Sequence, residues 1–182
     1  MIPDQDQMKG IITMKRIALI ATLILVSATP AFAHAGHGIT SGFLHPLLGW
    51  DHLIAMLAVG AWGAALGARA IWAVPLAFVS AMIVGGVVGM SGIEIPFVEA
   101  MVLASAVVLA GFAVARVKMP VWSGMAIVGL FALAHGFAHG AEMPALANAW
   151  VYGAGFAAAT SLIHALGAIA VLAVTRMKAI RA

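Results

Sequence analysis

Five apolar stretches, at about 43–66, 71–90, 96–115, 120–140 and 148–175, constrain this chain more than any other feature. A helix needs roughly 20 predominantly apolar residues to cross a bilayer, and each stretch supplies them. Of all the Asp, Glu, Lys and Arg in the chain, the stretches hold only Asp51 and Glu99. The whole chain is 64% hydrophobic and 8% charged, against roughly 25% charged in an ordinary soluble domain, so it cannot coat a globule with charge. The pattern predicts an all-α integral membrane protein, one compact bundle of about five transmembrane helices, and it shows no repeat, linker or second domain. There is no Cys, which excludes disulfides, iron–sulfur clusters and thiolate metal sites. The net charge of +3 is no nucleic-acid signal, because the basic residues gather in small groups at the ends of stretches.

The chain opens on a targeting pattern. Met14-Lys15-Arg16 is a basic lead, Ile17 to Thr29 an apolar core, and Ala31-Phe32-Ala33 a small-x-small cleavage site. Together these read as a cleaved signal peptide; the apolar core is short for an anchor helix. The polar run Met1 to Thr13 fits poorly ahead of a signal, which points to Met14 as the translation start. The expected division is 1–33 as extension and signal peptide and 34–182 as a single membrane domain. The mature chain would begin His34-Ala35-Gly36-His37, outside the cytoplasm.

The basic residues sort between the spans. Arg69 follows the first, Arg116 and Lys118 follow the third, and Arg176, Lys178 and Arg181 follow the fifth. The other two connections carry only Glu94 and Glu142 as charges. Cytoplasmic loops are enriched in Lys and Arg, which predicts a multi-pass protein of the inner membrane with a periplasmic N-terminus and a cytoplasmic C-terminus. An extracytoplasmic start followed by five spans demands the same. Gly63-x3-Gly67, Gly85-x3-Gly89 and Gly136-x3-Gly140 are small-xxx-small patterns that permit close helix approach. Pro46, Pro75, Pro96 and Pro120 fall near span starts, where a missing amide hydrogen costs little. Trp50, Trp62, Trp72, Trp122 and Trp150 lie mostly near span ends, as interfacial anchors do.

Against this background two clusters stand out, His45-Pro46-Leu47-Leu48-Gly49-Trp50-Asp51-His52 and His135-Gly136-Phe137-Ala138-His139-Gly140-Ala141-Glu142. Ionisable residues inside a membrane are costly and mark functional sites by default. Imidazole with carboxylate suits a divalent transition metal. At 100° per residue, His135, His139 and Glu142 share one helix face, with Gly136 and Gly140 turned roughly 100° to 140° away. His45 and His52, seven apart, would also align, with Asp51 about 120° from His45 unless Pro46 and Gly49 make the first turn irregular. Met56, one turn below His52, could offer a thioether, though packing is its commoner use. Asp51 and Glu99 have no Lys or Arg at membrane depth, and an isolated buried carboxylate takes up a proton or a cation. The predicted topology puts His45, Asp51, His52, Glu99, His135, His139 and Glu142 in the outer half of the membrane, with His164 alone near its middle. His34, His37, Glu99 and His164 are secondary metal candidates. His34 and His37 could instead belong to a mobile tail, and His164 could be a packed core residue supported by Thr160 and Ser161.

The first cluster, continued as Leu53-Ile54-Ala55-Met56-Leu57-Ala58-Val59-Gly60, resembles the first signature of the HupE/UreJ family. The second, continued as Met143-Pro144, resembles its second. The resemblance covers the mature chain, and one departure is Ala134, where the family often has an aromatic. It implies a permease for nickel, or less commonly cobalt, linked to hydrogenase or urease maturation proteins. It also implies that the functional residues are His45, Asp51, His52, His135, His139 and Glu142. The expected activity is passage of Ni²⁺ or Co²⁺ from periplasm to cytoplasm, with the ion as cargo, no prosthetic group and no catalysis. Two rivals follow from the residues. One is a haem-binding membrane subunit with two axial His, which leaves Asp51, Glu99 and Glu142 without a role. The other is an intramembrane metal-dependent hydrolase, for which no H-E-x-x-H is present.

Overall fold

The computed structural model describes residues 38–67, 69–145 and 147–181. The expected signal peptide and cleavage site, with His34 and His37, lie outside the described residues. Among the described residues six helices follow one another: α1 (Ile39–Leu48), α2 (Trp50–Leu66), α3 (Ala70–Gly89), α4 (Val98–Ala115), α5 (Val121–Ala141) and α6 (Ala149–Arg181). Four of them, α3 to α6, are each long and apolar enough to cross a membrane, and the bent pair α1 and α2, apolar enough together, brings the number to five if it is one span. The protein is an all-α, multi-pass membrane bundle. Trp72, Leu76, Val107, Leu130 and Ile169 are exposed, an apolar girdle of the kind that lipid covers.

The first expected span, 43–66, is therefore not one helix. It begins earlier, at Ile39, and bends by 88° at a break after Leu48. Pro46 sits in the interior of α1 and not in its first turn. There it withholds an amide hydrogen and its ring crowds the preceding turn. Gly49 then takes an extended conformation (φ −91, ψ 115) and α2 starts afresh at Trp50. Ser41 ties the start of α1, donating from Oγ to the Gly38 carbonyl at 2.7 Å. The start of α6 is capped by Asn148 Oδ1, which accepts from the amides of Trp150 and Val151 at 3.1 and 3.2 Å.

Small residues decide how the helices meet. Helices α3 and α5 run in parallel register so close that a Cβ at Gly136 would collide with the Met82 carbonyl, and one at Gly140 with the Gly86 carbonyl. Gly85 and Gly89 face the Leu133 and Phe137 carbonyls in the same way. Two of the three small-xxx-small patterns thus form one interface, against each other. In the third, Gly67 only ends α2 with φ +126, while Gly63 faces Ala70 at the start of α3. Long α6 packs along both α1 and α2. Trp62 is fully buried and donates from Nε1 to the Val117 carbonyl at 2.9 Å, so it is a core residue and not an interfacial anchor. Lys118 bonds the Ala65 carbonyl beside it. Trp72, Trp122 and Trp150, each near a helix start, are exposed as anchors are.

Candidate metal site

The bend at Gly49 turns His45 and His52 inward from two different helices, and both meet His139 on α5. Ring centroids are 4.8 Å apart for His45 and His139, 4.4 Å for His52 and His139, and 5.0 Å for His52 and His135. His45 and His52 converge because the span breaks, and not because a seven-residue spacing aligns them. The first and fourth spans are in contact at this point.

Two triads of donors result. In one, a ring nitrogen from each of His52, His135 and His139 lies within 4.8 Å of the others. In the second, His45, His139 and a Glu142 carboxylate oxygen meet the same limit. His139 belongs to both. Nitrogen ligands sit about 2.0–2.1 Å from a bound ion such as Zn²⁺, so small ring rotations would draw either triad onto a cation. His135 and His139 are buried, His45 and His52 partly so, and Glu142 is exposed at the mouth. The face shared by His135 and His139 is as the helix geometry requires. Glu142 lies just past the end of α5, with its carboxylate 3.6 Å from His45 Nε2. The His45 ring beside it holds the Glu142 carboxyl below the usual carboxylate range.

Hydrogen bonds leave the lone pairs turned to the centre. His52 Nδ1 lies 2.7 Å from Asp51 Oδ1, which also accepts the His52 amide at 2.8 Å. With Nδ1–H donating to the carboxylate, Nε2 carries the lone pair, and that atom is buried without a partner among the described residues. Asp51 is thus an orienting group held on His52 rather than a member of either triad. Gly49 makes room for it: a Cβ there would lie 2.8 Å from His52 Nδ1 and 3.1 Å from Asp51 Oδ1. His135 Nε2 lies 2.6 Å from Ser105 Oγ on α4, whose proton goes to the Val102 carbonyl at 2.6 Å. Ser105 therefore accepts from Nε2–H, which leaves the lone pair on His135 Nδ1, again buried and unpartnered. Both nitrogens of His139 likewise have no partner among the described residues. Buried polar atoms are nearly always hydrogen-bonded. Three neighbouring imidazoles with idle nitrogens are what a cation site needs, and carboxylate or hydroxyl groups on the far nitrogens are the usual second layer.

Several contributors were silent in the sequence. Ser105 is one, and the apolar walls are others: Phe156 packs on His139 (4.3 Å between centroids) and Phe78 on His135 (5.4 Å). Two cavities adjoin the site. One of about 320 Å³ is lined by Glu99, Glu142, Phe97 and Phe137, and so carries two carboxylates at the mouth. Glu99 joins neither triad. The other, about 520 Å³ and mostly apolar, reaches His139 past Met82, Met90, Met143 and Phe156. Met56 is fully buried in the core, as a packing residue is.

A family model described as HupE / UreJ protein matches residues 21–182. The chain belongs to the HupE/UreJ family. It is 42% identical over 153 residues to Protein HupE of Rhizobium leguminosarum bv. viciae, covering 81% of this chain and 80% of that one. No solved structure matches the chain. Membership of HupE/UreJ implies transport of a transition-metal ion. Every HupE/UreJ signature residue named from the sequence lies in one of the two triads or, for Asp51, is bonded to a member of one.

Proposed function

We propose that this chain is an inner-membrane permease that carries Ni²⁺, or less readily Co²⁺, from periplasm to cytoplasm. The carrying observation is the convergence on His139: His45 and His52, from the two halves of the bent pair, each pack against it, and nitrogens of His52, His135 and His139 have no hydrogen-bond partner among the described residues. Glu99 and Glu142 draw a divalent cation to the mouth. Glu142 and His45 take it first, with His139, and the ion then passes to His52 and His135 by way of the ring common to both triads. Two imidazoles and the Glu142 carboxylate replace part of the hydration shell at the first stage, and three imidazoles at the second. A conducting site has to bind well enough to admit the ion and weakly enough to let it go.

The orientation rests on Arg69, Arg116, Lys118 and Arg176 following alternate spans, and on the signal-like start of the chain. Cleavage after Ala33 would leave His34 and His37 at the periplasmic entrance. The chain acts without a prosthetic group and without catalysis, supplying metal for hydrogenase or urease maturation. The haem alternative is disfavoured, because rings 4.4 to 5.0 Å apart leave no slot between them for a macrocycle.

The test is ⁶³Ni²⁺ uptake by cells carrying wild type, His52→Ala or His139→Ala at equal expression. Both variants should fall to background. Full uptake in both would overturn the site, and competition by Co²⁺, Zn²⁺ and Cu²⁺ in the same assay ranks the ions.

A further inference from the structure

His164 lies outside both triads. It is 2% exposed, and neither of its ring nitrogens has a hydrogen-bond partner among the described residues. The two hydroxyls on the preceding turn are committed elsewhere. Thr160 donates to Met82 Sδ at 3.8 Å, and Ser161 donates to the Ala157 carbonyl at 2.7 Å. Neither supports the ring. An apolar side chain would fill the same space without leaving polar atoms unpaired, so packing alone does not explain an imidazole there.

Phe78 fixes where this ring stands. Phe78 is fully buried and packs against both His135, at 5.4 Å, and His164, at 5.1 Å. His164 is thus one aromatic ring removed from the His52–His135–His139 triad. It is fifteen residues into α6, about 22 Å along the helix axis, whereas His139 is two residues from the end of α5. The backbone at His164 meets α2 closely at Gly60, where any Cβ would collide with the His164 carbonyl. Met82 Sδ accepts from Thr160, so a thioether stands against α6 one turn before His164.

We propose that His164 is an inner coordinating position for the ion, used after it leaves the outer triads and before it reaches the far side of the membrane. The proposal rests on the transport reading above and adds a station to it. Three imidazoles hold a borderline divalent cation such as Ni²⁺ firmly, and a path that ended there would trap it. One imidazole, with a soft thioether nearby and water completing the shell, binds more weakly and offers a step down toward release. Beyond it the bundle core is apolar, built from residues such as Trp62, Val74, Leu109 and Val128.

Two measurements test this. His164→Leu should lower the rate of ⁶³Ni²⁺ uptake at least tenfold at equal expression, while the purified protein binds Ni²⁺ with a Kd within threefold of wild type. His164→Cys places a single thiol in a chain that has none. Adding Ni²⁺ to that purified variant should produce a nickel–thiolate charge-transfer absorption that a chelator removes. The assignment requires both results: uptake within twofold of wild type in His164→Leu overturns it, and so does the lack of the absorption at Ni²⁺ levels that saturate the wild-type protein. Should His164→Leu fail to accumulate, the thiol measurement decides alone. A wild-type protein that neither binds nor takes up Ni²⁺ would instead remove the transport reading, and the inner position with it.

Discussion

Ser105→Ala separates a metal site from a buried hydrogen-bonded cluster. Ser105 is fully buried on α4, and its hydroxyl accepts from His135 Nε2–H at 2.6 Å while donating to the Val102 carbonyl. The bond selects the tautomer whose Nδ1 lone pair is free. A ligated imidazole draws more strongly on the acceptor at its other nitrogen, so losing the acceptor weakens the bound state more than the empty one. Second-layer losses of this kind typically cost 10- to 100-fold in metal affinity, or about 1.4–2.8 kcal/mol. The assay is calorimetric titration of Ni²⁺ into purified protein in detergent, wild type beside Ser105→Ala. The variant's Kd should rise by roughly tenfold or more. The variant loses the two buried hydrogen bonds of one hydroxyl, worth about 1 kcal/mol each, so it should still fold and elute as wild type does. A Kd within twofold of wild type, in a folded variant, would refute the role of Ser105 in setting the His135 lone pair.

Gly136→Val should damage the fold more than the chemistry, because its side chain would strike the Met82 carbonyl across the α3–α5 contact. Overpacking of this kind costs about 1–3 kcal/mol or more, and thermal unfolding of the detergent-solubilised protein should show a clear drop. Uptake should weaken as external pH falls, since protons compete with the ion for imidazole lone pairs. Glu142 should not be the first group to fail: its carboxyl is held below the usual range by His45, so it stays ionised further into acid than an ordinary Glu. Initial uptake rates across a pH series, with Glu142→Gln for comparison, check this; the Gln variant should be slower throughout and keep the same direction of pH dependence.

Much of the architecture was legible because lipid imposes it. A bilayer sets span length, and so the last four stretches fall within a few residues of α3, α4, α5 and the first part of α6. The Gly85–Gly89 and Gly136–Gly140 patterns also meant what they suggested. The break at Gly49 was less visible. Hydropathy reads straight through Pro46 and Gly49, and only the tertiary fold turns α1 against α6. For the site, the two His-acid clusters were the strong signal, since an ionisable group in an apolar span has few bland explanations. Ser105 gave none, because a Ser in a membrane helix can satisfy itself on a carbonyl of the preceding turn, as Ser105 also does with Val102. Trp62 was misjudged because proximity to a span end does not say which way the ring faces. Asp51 was grouped with the donor residues by sequence; its Oδ1 lies on His52 Nδ1 and it joins neither triad.

X-ray absorption at the nickel edge of the Ni²⁺-loaded, purified protein tests most directly that these histidines form one coordination site. The wild type should show a nitrogen- and oxygen-ligated ion with the outer-shell scattering of several imidazoles. His139→Ala, which removes the ring common to both triads, should lose most of that scattering or fail to retain the metal. An ion bound with no imidazole scattering in the wild type, or a spectrum unchanged in His139→Ala, would contradict the shared site.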